Sequence, residues 1–120
     1  MTTDLSAYFE EVEARFENAH DLDLGLEEEF QILDPETLAL TGAFEELRDS
    51  AAPRLRQRIA GELLTSEIEV STPRTLHFGQ AAKQLLLNRA ELFAHADARG
   101  YALGLSLIHI SEPTRLLSIT

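Results

Sequence analysis

The chain has no cysteine and a single lysine, Lys83. Without cysteine there is no disulfide framework, no thiolate metal site and no cysteine nucleophile, a composition that fits a reducing cytosol. Basic residues are scarce as a class: 10 Lys and Arg stand against 21 Asp and Glu, a formal net charge of -11. That balance repels nucleic-acid phosphates and anionic membrane surfaces alike, so neither is expected as a partner. No apolar run approaches the roughly 20 residues that span a bilayer. The start, Met1-Thr2-Thr3-Asp4, lacks the basic and apolar stretches of a secretory signal. A soluble, cytoplasmic protein is expected. Also missing are an Asp-x-Asp-x-Asp-Gly calcium loop, a glycine-rich phosphate loop ahead of Lys83, and any histidine pair at i, i+4. A cation buffer is therefore disfavoured, Lys83 reads as solvated, and His20, His77 and His95 read as surface or helix-face residues.

What remains is enough for one globular domain: 120 residues, 44% of them hydrophobic. Asp4 can cap a helix on which Leu5, Tyr8, Phe9, Val12 and Phe16 recur at three- and four-residue spacing. Asp34-Pro35-Glu36-Thr37 supplies a turn, since proline fixes its own φ and restricts its predecessor. A short helix follows at about 43–49, an extended run at 59–72 ending at Pro73, and the longest helix at 76–99. On that helix Phe78, Ala82, Leu85, Leu86, Leu92, Phe93 and Ala96 are expected to form the buried stripe. Gly100 suits its C-terminal cap, and residues 101–105 read as another strand. The order helix, strand, turn, short helix, strand, long helix, strand describes an α+β chain.

Two carboxylate clusters interrupt otherwise apolar runs. The first is Leu24-Gly25-Leu26-Glu27-Glu28-Glu29-Phe30-Gln31-Ile32. As a helix it aligns Leu26, Phe30 and Leu33 with Glu27 and Glu28 outward; as a strand it gives Glu27, Glu29 and Gln31 one face and Glu28 the other. Periodicity does not choose between them, and a solvated acidic face has the same pattern. The second cluster alternates Glu67 and Glu69 with Ile68 and Val70, and its β-branched residues argue for a strand. If the two strands lie side by side, Glu27, Glu29 and Glu69 converge, where like charges disfavour ionisation unless a cation neutralises them. Carboxylate oxygens without thiolate or clustered imidazole select Mg²⁺ or Mn²⁺. A charged edge strand that guards against aggregation would show the same spacing.

The ordered set Gly25-Leu26-Glu27-Glu28-Glu29-Phe30, Leu33-Asp34-Pro35-Glu36-Thr37, Gly61-Glu62-Leu63, Glu67-Ile68-Glu69-Val70-Ser71-Thr72, a long alanine- and leucine-rich helix, and Gly100-Tyr101-Ala102-Leu103-Gly104 resembles the start of the glutamate-cysteine ligase type 2 family, also called carboxylate-amine ligases. The resemblance covers roughly residues 21–104. It implies a partial glutamine-synthetase-like catalytic domain, an antiparallel sheet with helices packed on one face, whose carboxylate-bearing strands hold divalent cations around ATP phosphates. The implied substrates are ATP, glutamate and an amine, cysteine in the standard case. The reaction would phosphorylate the glutamate side-chain carboxylate and let the amine attack the acyl phosphate. By motif the metal ligands fall on Glu27 and Glu29 of the first strand and Glu69 of the second, with Glu62 as an acidic partner. Glu67 departs from the family pattern and stands second; Glu28 faces the other way and is left out. Catalytic and nucleotide-binding residues are not assigned, and a homo-oligomer is left open.

After Gly104 the family pattern would continue into a strand with a Gly-Thr-His-Pro type motif, but alanine and glycine give way to isoleucine, serine and leucine. The string resembles a read-through peptide appended to unrelated reading frames. Residues 1–106 are thus expected to be the N-terminal portion of a ligase catalytic domain, and 107–120 a non-native tail in which His109 is accidental; a divergent native strand with an irregular tail is the alternative. The chain would then be about the first third of a longer enzyme and inactive alone. A non-catalytic acidic interaction module, its long helix docking a partner helix, is the competing function.

Overall fold

In the computed structural model the described residues are 5–19 and 22–111, with backbone alone for 107–111. The elements run α1 (Leu5–Glu17), β1 (Gly25–Leu33), α2 (Phe44–Ser50), α3 (Pro53–Arg56), β2 (Ile59–Gly61), β3 (Glu67–Ser71), α4 (Phe78–Ala98) and β4 (Ala102–Ser111). The strands form one antiparallel sheet in the order β2-β3-β1-β4. Strict alternation governs β1, where Leu26, Glu28, Phe30 and Ile32 are buried and Glu27, Glu29 and Gln31 are half-buried on the reverse face.

One apolar layer lies between this sheet and the helices. Phe30, Ile32, Ile59, Ile68 and Val70 from the strands meet Leu47 of α2, Leu55 of α3, and Leu92 and Ala96 of α4. The Phe30 and Phe93 rings pack edge to face, 5.3 Å between centroids. Helices α2 to α4 therefore cover one face, and the sheet presents its carboxylates on the other.

Several expectations need correction. The extended run at 59–72 is two strands, not one: the chain turns over between Gly61 and Glu67, and β2 folds back on β3 with Ala60 opposite Glu69. A one-turn helix, α3, begins at Pro53, whose fixed φ and missing N–H suit the first helical position. The buried stripe of α4 keeps Leu92 and Ala96 of the expected set, with Ala82 and Leu85 half-buried, but loses Phe78, Leu86 and Phe93 and gains Ala81 and Asn88. Ala81, Asn88, Leu92 and Ala96 face the sheet, whereas Phe78 and Leu86 are more than half exposed. The cause is polar: the buried Glu28 carboxylate on β1 and the Ser71 carbonyl on β3 take partners from α4, so Asn88 and Arg89 turn toward the sheet while Phe78 and Leu86 stay exposed. On α1 the apolar spacing is present, but Leu5, Tyr8, Phe9, Val12 and Phe16 are all exposed.

Local signals otherwise hold. Asp34 Oδ1 accepts the N–H groups of Glu36 and Thr37, both at 2.9 Å, which closes the turn after β1. Gly100, at φ 83°, donates to Asp97 O while Tyr101 donates to Ala96 O, a Schellman cap that releases the chain into β4. β4 pairs with β1 along its whole length, with an irregularity at Glu29/Phe30, and its backbone continues as strand to Ser111. The side chains of residues 107–111, all of 112–120, Asp4 and His20 lie outside the described residues. The expected non-native tail, the accidental His109 and the Asp4 cap fall there.

Candidate metal centre

Register decides the site. In the antiparallel β1–β3 pair Glu29 lies directly opposite Glu69, and Glu27 opposite Ser71. Residues opposite one another share a face, so Glu27, Glu29 and Glu69 stand together as expected from a strand, and the helical alternative for 25–32 is excluded. Glu62 joins them from the far side: two residues after Ala60, the partner of Glu69, it carries the same facing past the end of β2. Carboxylate oxygens of Glu29, Glu62 and Glu69 lie within 4.8 Å of one another. Glu27 is on the same face one step along β1, outside this close trio.

The electrostatics follow from the crowding. Burial first, then the charge of Glu27, a hydrogen bond with Glu62, and the charges of Glu62 and Glu29 push the Glu69 carboxyl up to about 7. Every neighbouring charge named there is negative. A hard divalent cation in octahedral coordination at about 2.1 Å brings adjacent ligand oxygens to about 3 Å and opposite ones to about 4 Å. The carboxylate oxygens of Glu29, Glu62 and Glu69, all within 4.8 Å of one another, are spaced on that scale. The trio, together with Glu27, fits such an ion by donor type, number and charge.

Backbone devices fix the frame. Thr72, just past β3, accepts the Leu26 N–H on its hydroxyl at 2.9 Å while its own N–H donates to Leu26 O, tying the start of β1 next to Glu27. Gly61 permits a close approach: a Cβ there would sit 2.7 Å from the Phe44 ring. Glu62 therefore leaves β2 from a point that a larger residue could not occupy without moving Phe44.

Glu67 is on the acidic face but is engaged elsewhere, accepting a 2.6 Å hydrogen bond from Gln31 Nε2. Gln31 Oε1 is buried without a hydrogen-bond partner among the described residues. Sequence reasoning placed Gln31 on the strand face of Glu27 and Glu29 but gave it no role. It also passed over the partner of Glu28: this side chain is fully buried behind the site and ion-paired with Arg89 of α4.

Sheet and site together define an α+β protein in which, among the described residues, the sheet face opposite α2 to α4 gathers carboxylates. No family model matches the chain. Individual relatives do. It is 36% identical over 86 residues to "Putative glutamate--cysteine ligase 2-2" of Rubrobacter xylanophilus, covering 72% of this chain and 22% of that protein. To "Putative glutamate--cysteine ligase 2-3" of the same organism it is 34% identical over 110 residues, 91% of this chain and 30% of the relative. To "Putative glutamate--cysteine ligase 2" of Paracoccus denitrificans it is 33% identical over 79 residues, 66% of this chain and 21% of the relative. The chain belongs to the glutamate-cysteine ligase type 2 family and spans less than a third of the length of these relatives.

Proposed function

We propose that this chain is the metal-bearing part of a glutamine-synthetase-like catalytic domain, and that the complete protein is an ATP-dependent carboxylate-amine ligase of the cytoplasm. The observation that carries this is the convergence of Glu29, Glu62 and Glu69, with Glu27 beside them, on a sheet face where Glu69 is pushed up to about 7. Glu27, Glu29, Glu62 and Glu69 would hold Mg²⁺ or Mn²⁺. The ion supplies charge neutralisation at the ATP phosphates and orients the transferring group.

In the complete enzyme the terminal phosphoryl group of ATP passes to the side-chain carboxylate of glutamate, leaving ADP. An amine, that of cysteine in the standard case, then attacks the acyl carbon and expels phosphate. The groups in this chain act by position: carboxylates preset around the site lower the reorganisation needed when phosphate charge arrives. Spanning less than a third of its relatives, the 120-residue chain is expected to bind the ion but not to turn over.

Mn²⁺ titration followed by electron paramagnetic resonance tests this. The chain should bind Mn²⁺, and Glu29→Gln or Glu69→Gln should weaken binding at least tenfold, because an amide is a poorer ligand. Equal binding by the original chain and both variants would overturn the assignment. A second function, an acidic interaction module, is favoured by the exposed apolar faces of α1 and α4, where Phe16, Phe78 and Leu86 are all more than half exposed. It predicts no dependence on divalent ions.

A further inference from the structure

We propose that Glu28, Arg89 and Asn88 are positioning residues that clamp β1 and β3 from behind and set the spacing of the carboxylates in front. The inference rests on the metal-site assignment above for its functional consequence, but not for its geometry.

The acidic face is self-repelling. Glu29 stands opposite Glu69, with Glu27 and Glu62 beside them, and like charges directly across an antiparallel pair push the strands apart. On the opposite face, between Glu27 and Glu29, lies Glu28, with 0% of its surface exposed. A carboxylate so buried is held only if paired and hydrogen-bonded. Arg89 meets it with two donors: Nη2 contacts Oε1, and Nε lies 3.3 Å from Oε2. This fork fixes the rotation and the slide of β1 relative to α4 in a way a single point charge does not.

The residue before Arg89 grips the neighbouring strand. Asn88, also fully buried, donates through Nδ2 to the Ser71 carbonyl of β3 at 2.9 Å. Its Oδ1 accepts from Arg58 Nη1 at 2.6 Å and Gln84 Nε2 at 3.1 Å. Ser71 is the register partner of Glu27, and Val70 that of Glu28. Consecutive residues of one 21-residue helix thus hold the two carboxylate strands at neighbouring rungs of their ladder. A slip of one residue would bring Glu28 to the front and send Glu27 and Glu29 into the core.

The test uses the whole chain and two variants. In Glu28→Leu/Arg89→Met an apolar pair replaces the ion pair, so the fold persists; Arg89→Lys keeps the charge and loses the fork. Two readouts are taken: amide hydrogen exchange of β1 and β3 in metal-free protein, and Mn²⁺ affinity by electron paramagnetic resonance. Exchange at the β1–β3 ladder should quicken at least tenfold in the double variant and about threefold in Arg89→Lys, relative to amides of α4. Adding Glu29→Gln, which removes the repulsion, should restore most of the protection. Mn²⁺ affinity should fall at least fivefold in the double variant without a loss of melting temperature. Unchanged ladder protection, or protection lost equally throughout the molecule, would overturn the clamp. If the original chain binds no Mn²⁺ while ladder exchange behaves as expected, the metal assignment fails and the clamp stands.

Discussion

Glu29 and Glu69 face each other across an antiparallel strand pair, two carboxylates at a position where opposite charges or apolar contacts would stabilise the sheet. With both ionised the arrangement costs stability; a proton on Glu69, whose carboxyl is pushed up to about 7, relieves it, and at the proposed site a cation would do the same.

Neutralising either member should therefore stabilise the metal-free chain while removing its ion. Glu29→Gln or Glu69→Gln is expected to raise unfolding free energy by about 0.5 to 1 kcal/mol in chelator, the scale of a cross-strand pair. Urea titrations with and without Mn²⁺ should show the original chain gaining more from the ion than either variant does. Because Glu27 lies outside the close trio, Glu27→Gln should weaken Mn²⁺ less than Glu29→Gln, Glu62→Gln or Glu69→Gln.

The Glu69 shift sets a pH dependence with a definite sign. Its carboxyl is raised from an ordinary 4.5 to about 7, so between these values the folded state binds the extra proton. Stability from this group is fully present below about 4.5 and is lost as pH rises through about 7, by about 1 to 2 kcal/mol after solvent screening. Asp34 and Asp49 are held below their usual range and titrate beneath this window. Denaturant midpoints in chelator should fall between pH 5 and about 8; saturating Mn²⁺ should flatten the slope, and Glu69→Gln should abolish it.

Breaking the ion pair behind the site is asymmetric. Arg89→Met leaves the fully buried Glu28 without its cation and should cost about 3 to 5 kcal/mol. Glu28→Gln leaves Arg89, partly exposed, able to reach water and should cost about 1 to 2 kcal/mol. Equal losses by thermal or urea unfolding would show that burial of Glu28 does not govern the pair.

Gly61→Ala tests the approach of β2 to α2. A Cβ would meet Phe44 Cε1 at 2.7 Å, so the ring must move. The expected cost is about 1 to 3 kcal/mol, as for overpacking, with a parallel loss of Mn²⁺ affinity because Glu62 follows directly. Phe44→Leu should recover part of both, measured in the same two assays.

The amino-acid order alone determined that 25–32 and 67–71 carry carboxylates at alternate positions, that Asp34-Pro35 turns the chain and that Gly100 ends the long helix, because these depend on local backbone preferences and a period of two. It also carried the family, through motifs spaced along the chain. Tertiary structure decided the rest. Whether Glu27, Glu28 and Glu29 sit on a helix or a strand was undecidable from a short run compatible with both periods; pairing with β3 and β4 settled it. The hairpin between β2 and β3 was hidden because Glu62-Leu63-Leu64-Thr65-Ser66 lacks proline and glycine. It is nonetheless what carries Glu62 to Glu69. The face that α4 buries was legible from hydrophobicity only in part: Leu92 and Ala96 are buried as expected, but Asn88 and Arg89 turn inward to satisfy Ser71 O and Glu28, groups far away in sequence. Long-range pairing of polar groups has no sequence period, and only the packed sheet reveals it.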